Sequence, residues 1–171
     1  YKSLEIIRLL KKSGVIIKTI LTKNGAKFVT PLSITSLSQS KVYQDLFDLE
    51  NEAEMDHISL SRWADIILIA PATANTIAKL ANGNSDDLAS AVALASNKQI
   101  FIAPAMNVRM WEHQSTKENI FKLNTYNYKL IGPEIGDMAC GEYGEGKMPE
   151  PKKIVNEIEN YFKNLKIGNK L

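Results

Sequence analysis

The sequence has 171 residues, of which 44% are hydrophobic and 23% charged, and its formal net charge is +2. That length suits one domain with a sizeable buried core, and the charged residues are scattered, so no basic stripe predicts nucleic-acid binding. A single cysteine excludes an internal disulfide, which makes a reducing cytoplasm the expected compartment. No apolar run approaches the roughly 20 residues of a membrane span, and no signal peptide is recognisable.

The first half of the chain predicts a helix, a strand and then a second, more apolar strand. Helical periodicity begins at once, and Gly14 is expected in the C′ position that follows a helix. The β-branched run over residues 15–21 predicts a strand. Residues 41–56 are polar and acidic and predict an excursion, whereas residues 66–70 are wholly apolar, as in a parallel strand covered on both faces.

The second half continues the alternation of helix and strand. Ser85 or Asp86 is expected to cap the helix that follows, whose apolar face includes Leu88 and Val92. The other predicted elements are helices over 74–80 and 111–123, strands over 99–103 and 129–131, a glycine-rich loop over 132–149 and an amphipathic helix from Pro151.

Strands that alternate with helices predict a three-layer α/β fold with a parallel sheet. In such sheets, ligands bind outside the carboxyl ends of the strands. Three segments are expected there, over residues 22–28, 71–76 and 104–111. We predict one domain over residues 1–165, with 166–171 as the start of a linker or tail.

Two of these segments carry polar groups with two interpretations each. Residues 71–76 combine small side chains with hydroxyls at a helix start, which can hold phosphate or ring oxygens but also make an ordinary turn. Asn107 offers one acceptor and two donors. These suit a carboxylate or amide, although asparagine is also a favoured helix N-cap.

Two titratable residues are candidates for catalysis. His57 precedes Ile58, Leu60 and Trp63, which predict a buried face, and a lone histidine is more often structural. Histidine is nevertheless a residue type that commonly acts as a base, and this one lies close to the expected site. Cys140 lies in the glycine-rich loop, where a lid is expected; the thiol is either a nucleophile or proton donor or incidental.

Four segments in chain order resemble the homo-oligomeric flavin-containing cysteine decarboxylases. They are His57-Ile58 ahead of Trp63-Ala64-Asp65, then PATANT at 71–76, PAMNVRMW at 104–111 and MACGEYGEGKM at 138–148. The resemblance implies a flavodoxin-like or Rossmann-like fold, FMN as cofactor and no metal. It also implies a carboxy-lyase that converts 4′-phosphopantothenoylcysteine to 4′-phosphopantetheine in coenzyme A biosynthesis.

The resemblance also implies residue roles. In the implied reaction, FMN would accept a hydride from the thiol-bearing carbon, and carbon dioxide would then leave as the electron pair moves onto sulfur. Cys140 would protonate the resulting enethiolate at carbon, and return of the hydride from reduced flavin would give the product thiol. His57 is the base and Asn107 binds the substrate carboxylate. The implied FMN contacts are Thr22, Lys23, Asn24, Phe28, Thr73, Ala74, Asn75, Thr76 and Ala105.

The resemblance extends to what surrounds this domain. Family members begin with a strand and a Gly-Ser-Ile-Ala-Ala turn ahead of the position of Tyr1, so we expect a fragment that lacks its first strand. We expect a homo-oligomer, a trimer or a multiple of trimers, and a fused phosphopantothenate–cysteine ligase domain. No nucleic-acid or membrane partner is expected.

Two related functions remain open. A peptidyl-cysteine decarboxylase shares the histidine and the Pro-x-Met-Asn segment, although the Met-Ala-Cys-Gly motif favours the coenzyme A enzyme. A non-catalytic flavin-binding regulatory subunit of a phosphatase shares the fold, but His57 and Cys140 are both present here. A flavin prenyltransferase lacks the histidine and lid pattern.

Overall fold

The structure is a computed structural model, and it describes residues 1–46 and 56–168. The helices are α1 (Lys2–Lys12), α2 (Pro31–Ser38), α3 (Asp56–Trp63), α4 (Ala74–Ala81), α5 (Leu88–Ala95), α6 (Val108–Glu112), α7 (Gln114–Thr125) and α8 (Pro151–Gly168). The strands are β1 (Thr19–Ile20), β2 (Val42–Tyr43), β3 (Ile66–Ala72), β4 (Gln99–Pro104), β5 (Lys129–Leu130), β6 (Glu134–Asp137) and β7 (Tyr143–Lys147).

Strands β3, β4 and β5 form a parallel sheet in that order, covered by helices on both faces. Side chains of a strand alternate between faces, and here Phe101 and Ala103 of β4 pack with α1 and α8. The intervening Ile100 and Ile102 pack with α4 and α7 on the opposite face. This arrangement confirms the predicted three-layer α/β fold.

Strands β1 and β2 form a separate parallel pair, with Ile20 opposite Tyr43. They lie between the same helix layers, since Ile20 and Ile67 of β3 both contact the cluster built on α3 and α5. Within the described residues, however, β1 and β3 are not hydrogen bonded to each other.

Two strands differ from their predicted form. The strand predicted over residues 15–21 is confined to Thr19–Ile20, because among the described residues only these two pair with β2. Strand β3 is half-buried along most of its length, rather than fully covered. It pairs only with β4 among the described residues, so its other edge stays open. It also continues past Pro71 to Ala72 with an irregular register.

The end of α1 and the start of α5 are set by the residues next to them in the sequence. Gly14, at φ +80°, follows the C-cap Ser13 as predicted. Helix α5 is capped by Asp87 instead of Ser85 or Asp86. The reason is that Ser90, three residues later, completes a reciprocal capping box with Asp87.

The glycine-rich loop and the segment before β3 contain structure that periodicity did not predict. Residues 134–147 form an antiparallel hairpin of β6 and β7. Residues 56–63 form α3, on which Trp63 is 43% exposed rather than buried, with the Lys18 ammonium 4.7 Å from its ring centre.

Two predicted segments, the polar excursion and the tail, lie partly outside the described residues. Most of the excursion predicted over 41–56 lies outside the described residues. The end of the predicted tail, residues 169–171, also lies outside the described residues. Helix α8 continues to Gly168, and the domain boundary at residue 165 stays a prediction. None of the described helices has the length and apolar character needed to cross a membrane.

Candidate functional site

The carboxyl ends of β3 and β4 bring two of the predicted segments together. Ala72 lies in register with Pro104, and the Ala105 amide donates to the Ala72 carbonyl over 3.0 Å. Parallel strands end at the same edge of their sheet, so Thr73 and Ala105 are neighbours there. This edge is where an open α/β sheet binds ligands.

The segment after β3 begins a helix in the way that the sequence predicted. The Thr73 hydroxyl caps α4 by accepting from the Thr76 amide at 3.3 Å, and the two hydroxyls lie 3.1 Å apart. Thr73 and Asn75 are exposed, whereas Ala74 and Thr76 are half-buried. The start of α4 therefore presents hydroxyls, an amide side chain and the positive end of the helix dipole to one surface.

The structure shows one of the two interpretations of Asn107, the helix N-cap, and the other, a carboxylate-binding residue, stays a prediction. Its Oδ1 accepts from the Met110 amide at 2.8 Å and so caps α6. The cap fixes the side-chain amide with its oxygen toward the helix, and within the described residues no hydrogen bond engages the Nδ2 group. Half-buried Asn107 thus keeps a donor group that suits a carboxylate.

Cys140 lies at the exposed tip of the β6–β7 hairpin. The turn is closed by bonds from the Met138 amide to the Glu142 carbonyl and from the Gly141 amide to the Met138 carbonyl, both 2.9 Å. The thiol donates to a Glu142 carboxylate oxygen over 3.7 Å. A thiol in this setting is accessible to a substrate rather than packed in a core.

The hairpin is attached to the loop that carries Asn107. The Met106 amide donates to the Gly146 carbonyl over 3.1 Å, and Val108 lies against Gly144. The structure therefore places the segments of Asn107 and Cys140 in direct contact, although they are more than thirty residues apart in the sequence.

His57 lies in the first turn of α3 and is half-buried. The helix is held by Leu60, which packs on Leu88 and Val92 of α5. In the part of the chain that the structure describes, no hydrogen bond links His57 to Asn107 or Cys140. Its predicted role as a base thus stays a prediction.

The segment after β1 is the third predicted part of the site. The Thr22 hydroxyl accepts from the Gly25 amide at 3.1 Å, and Lys23 and Asn24 are exposed. Phe28 is 87% exposed. No hydrogen bond joins this segment to the ends of β3 and β4 among the described residues.

The residues present fit the expected FMN in chemical terms. Hydroxyls and a helix start after β3 suit phosphate and ring oxygens, small Ala72, Ala74 and Ala105 allow close approach, and the exposed Phe28 offers an apolar ring. Flavin sites combine such an apolar face with a few well-placed polar groups.

A cavity of about 710 Å³ lies elsewhere, at the amino end of β4. Its lining includes Gln99, Asn97 and Tyr128. Since these residues are at the opposite end of β4 from Ala105, the cavity is not part of the candidate site.

Sequence reasoning missed Glu142 and the two glycines that contact the Asn107 loop. Gly144 and Gly146 both lie in β7, whose register is irregular at Gly146. Two glycines so close together were the available signal, because a strand segment without side chains permits close approach of another backbone. Glu142 gave no comparable signal.

Fold and candidate site together describe an α/β protein with a parallel sheet, in which the loop that follows β4 carries an amide side chain and contacts a hairpin that carries a thiol. The model of the flavoprotein family matches residues 1–163, and the chain belongs to that family.

The relatives include the coenzyme A biosynthesis bifunctional protein CoaBC of Haemophilus influenzae, 44% identical over 162 residues. That match covers 95% of this chain but 40% of the relative, so the chain spans about two-fifths of that protein's length.

Solved structures show the same fold. One is a PPC decarboxylase mutant complexed with pantothenoylaminoethenethiol, with a TM-score of 0.81 and 28% identity, covering 95% of this chain and 92% of that one. Another is the FMN binding protein AtHal3, with a TM-score of 0.77 and 30% identity, covering 92% of this chain and 88% of that one.

Proposed function

We propose that this chain is an FMN-dependent decarboxylase that converts 4′-phosphopantothenoylcysteine to 4′-phosphopantetheine. The observation that carries the proposal is the contact between the loop of Asn107 and the hairpin of Cys140, through the bond from Met106 to Gly146. A carboxylate-binding donor and a proton-donating thiol are both needed by this reaction, and they stand on touching segments. The family and its relatives support the same activity.

The proposed cofactor is FMN, bound by the segments after β1, β3 and β4. Thr22, Lys23 and Asn24 lie on the first segment with Phe28 beside them, and Ala105 lies on the third. The second segment supplies Thr73, Ala74, Asn75 and Thr76. When bound, FMN would supply a reversible two-electron acceptor for the thiol-bearing carbon of the substrate.

The chain's own residues would bind the substrate and move its protons. Asn107 would donate from Nδ2 to the departing carboxylate while its Oδ1 stays in the helix cap. His57 would take the proton of the substrate thiol. After carbon dioxide has left, Cys140 would donate its proton to the carbon that carried it, from a thiol that contacts the Glu142 carboxylate at 3.7 Å.

We further propose that the active form is a trimer or a multiple of trimers, with FMN at the subunit boundaries. In one chain the candidate contacts Thr22, Asn24, Thr73 and Asn75 are exposed, and so is Phe28. A second copy would cover this open surface and exclude water from the reaction. The fused ligase domain and the cytoplasmic location stay predictions.

The test is an anaerobic assay of FMN-loaded protein with 4′-phosphopantothenoylcysteine, comparing wild type with Cys140→Ser. Wild type should release carbon dioxide and form 4′-phosphopantetheine. The serine variant should release carbon dioxide and bleach its flavin, yet form little 4′-phosphopantetheine, because a hydroxyl is a much weaker acid than a thiol. Mass spectrometry should find a product two hydrogens lighter.

Two outcomes would count against these assignments. Absence of carbon dioxide release by wild type would contradict the proposed reaction. If the serine variant forms 4′-phosphopantetheine at the wild-type rate, Cys140 is not the donor, and the peptidyl-cysteine decarboxylase becomes the better hypothesis because its product stays oxidised.

A further inference from the structure

The β7 strand meets the Asn107 loop at two glycines, Gly144 and Gly146. We infer that Gly144 and Val108 form a joint that positions Cys140 relative to Asn107, so that Gly144 is a positioning residue of the reaction. This inference rests on the proposed function for its consequence, but the joint itself can be tested separately.

Space, rather than backbone conformation, requires glycine at position 144. Its φ lies outside the left-handed region, yet a methyl group there would lie 2.8 Å from Cγ2 and 3.1 Å from Cγ1 of Val108. Val108 is the first residue of α6, and its two γ-carbons occupy two of the three staggered positions on Cβ, so rotation about χ1 leaves at least one of them facing Gly144. Neither partner can therefore turn aside, and the hairpin would have to shift.

The second contact lies two residues further along the same strand. A side chain on Gly146 would collide with the Met106 carbonyl oxygen, and the backbone there adopts φ +140°, which favours glycine. The contacts at Met106 and Val108 flank Asn107 on both sides. The loop and β7 are consequently held together on either side of the substrate-binding amide.

This geometry divides the hairpin into a fixed part and a free tip. Strand β7 is attached to the loop through Gly144 and Gly146, whereas Cys140 lies in a turn whose described hydrogen bonds are all within the hairpin. The joint between Gly144 and Val108 therefore fixes the position from which the hairpin tip extends. A displacement near 1 Å can lower a rate by about 100-fold, because reacting groups lose alignment.

The hairpin provides a matched control on its other strand. Gly136 lies directly opposite Gly144 in the register. A methyl group on Gly136 would meet only the Lys147 side chain, with Cδ at 3.1 Å and Nζ at 3.4 Å. That side chain is flexible and can move, so the same substitution there should not displace the hairpin.

The experiment is a double-mutant cycle in FMN-loaded, full-length protein. The variants are Gly144→Ala, Val108→Ala, both together, and Gly136→Ala as control. Val108→Ala removes the two γ-carbons that a methyl on Gly144 would meet, so the alanine pair should fit again. Turnover of 4′-phosphopantothenoylcysteine should fall about 10- to 100-fold in Gly144→Ala, recover to within about threefold in the pair, and stay near wild type in Gly136→Ala.

A second readout does not depend on turnover. A nitroxide on Cys140, with any cysteine outside these 171 residues replaced by serine, reports the mobility of the tip. Mobility should rise in Gly144→Ala and in Val108→Ala, which opens a gap beneath Gly144, and return in the pair. If Gly144→Ala does not fold, Val108→Ala and the pair still provide this comparison.

The two readouts separate failure of the joint from failure of the proposed function. Unchanged mobility and turnover in both single variants, or a pair no better than Gly144→Ala alone, would overturn the joint. If wild type does not turn over the substrate but the mobility series behaves as expected, the joint stands and the proposed function fails.

Discussion

The side-chain amide of Asn107 caps a helix with its oxygen and, in the proposed function, binds the substrate carboxylate with its nitrogen. The oxygen caps α6 through the Met110 amide, and this bond orients the nitrogen away from the helix. A residue that could rotate freely would present oxygen and nitrogen to a substrate equally. The cap thus selects the donor end, which is the end that a carboxylate requires.

Asn107→Asp separates these two roles. Aspartate caps helices as well as asparagine does, so the fold and FMN content should be unchanged. The donor is lost and a negative charge faces the substrate carboxylate, so KM for 4′-phosphopantothenoylcysteine should rise at least 10-fold, about 1.4 kcal/mol. Steady-state kinetics and a thermal unfolding curve provide the measurement.

Asn107→Ser is the matched control, because serine also caps the helix but is uncharged and smaller. It should raise KM less than aspartate does. Equal KM values in wild type and Asn107→Asp would remove Asn107 from substrate binding and leave it as a helix cap alone.

At the scale of one element, the start of α5 combines a cap with an ion pair. Asp87 accepts from the Ser90 amide at 2.8 Å and from the Lys79 ammonium at 2.8 Å. Burial by itself raises the pKa of Asp87, but the hydrogen bonds from Lys79 and Ser90 outweigh it and hold that pKa below its usual value. Asp86 also pairs with Lys79, at 2.6 Å, from a more exposed position.

Asp87→Ala should lower the free energy of unfolding by about 1–2 kcal/mol, since the helix loses its cap. Asp86→Ala, the control, should cost about 0–1 kcal/mol because it removes only an exposed ion pair. The pKa of Asp87 is lower in the folded protein than in the unfolded chain, where it is about 3.9. The contribution of the ionised carboxylate to folding stability is therefore fully present above the unfolded pKa. It is lost as the pH falls through the folded pKa.

Urea unfolding curves of both variants and wild type across that acid range would measure this. The difference between wild type and Asp87→Ala should narrow as the pH falls. A constant difference would mean that the ionised carboxylate contributes nothing beyond what its protonated form retains.

At the scale of the whole molecule, apolar side chains are exposed beside the candidate site. Phe28 follows β1, Met110 follows Asn107, and Tyr143, 71% exposed, lies in β7 beside the turn that holds Cys140. Exposed apolar groups gathered near a site are typical of a surface that binds another chain or a ligand. Both are expected here, since FMN is proposed to lie at the boundary of two subunits.

Light scattering on FMN-loaded, full-length protein should give a mass that is a multiple of three subunits. Phe28→Glu should weaken this assembly and lower FMN content, because it places a charge in the proposed interface. Phe121→Glu is the control: Phe121 is similarly exposed but lies on α7, away from the three predicted segments, and it should change neither. A stable wild-type monomer that retains FMN would contradict the trimer.

The sequence by itself determined the layered fold, and it predicted most residues of the candidate site. Strand Gln99–Pro104 and helix α8 could be predicted because an apolar run and a helical period are patterns among residues that are close in sequence. Asn107, Thr73 and Cys140 could likewise be identified as candidates from the sequence, because each follows a predicted strand or lies in a glycine-rich segment. Their proposed roles are those that the family resemblance implies.

Only the tertiary structure decided how these residues are arranged. The β6–β7 hairpin, the contact of Gly144 with Val108 and the bond from Met106 to Gly146 join parts of the chain that are distant in sequence. Glycines in a strand remove the alternation of polar and apolar side chains, so the sequence pattern only weakly specifies which strand it pairs with and in what register. Burial of β3 likewise depends on which strand lies beside it, and that is a property of the assembled sheet rather than of residues 66–70.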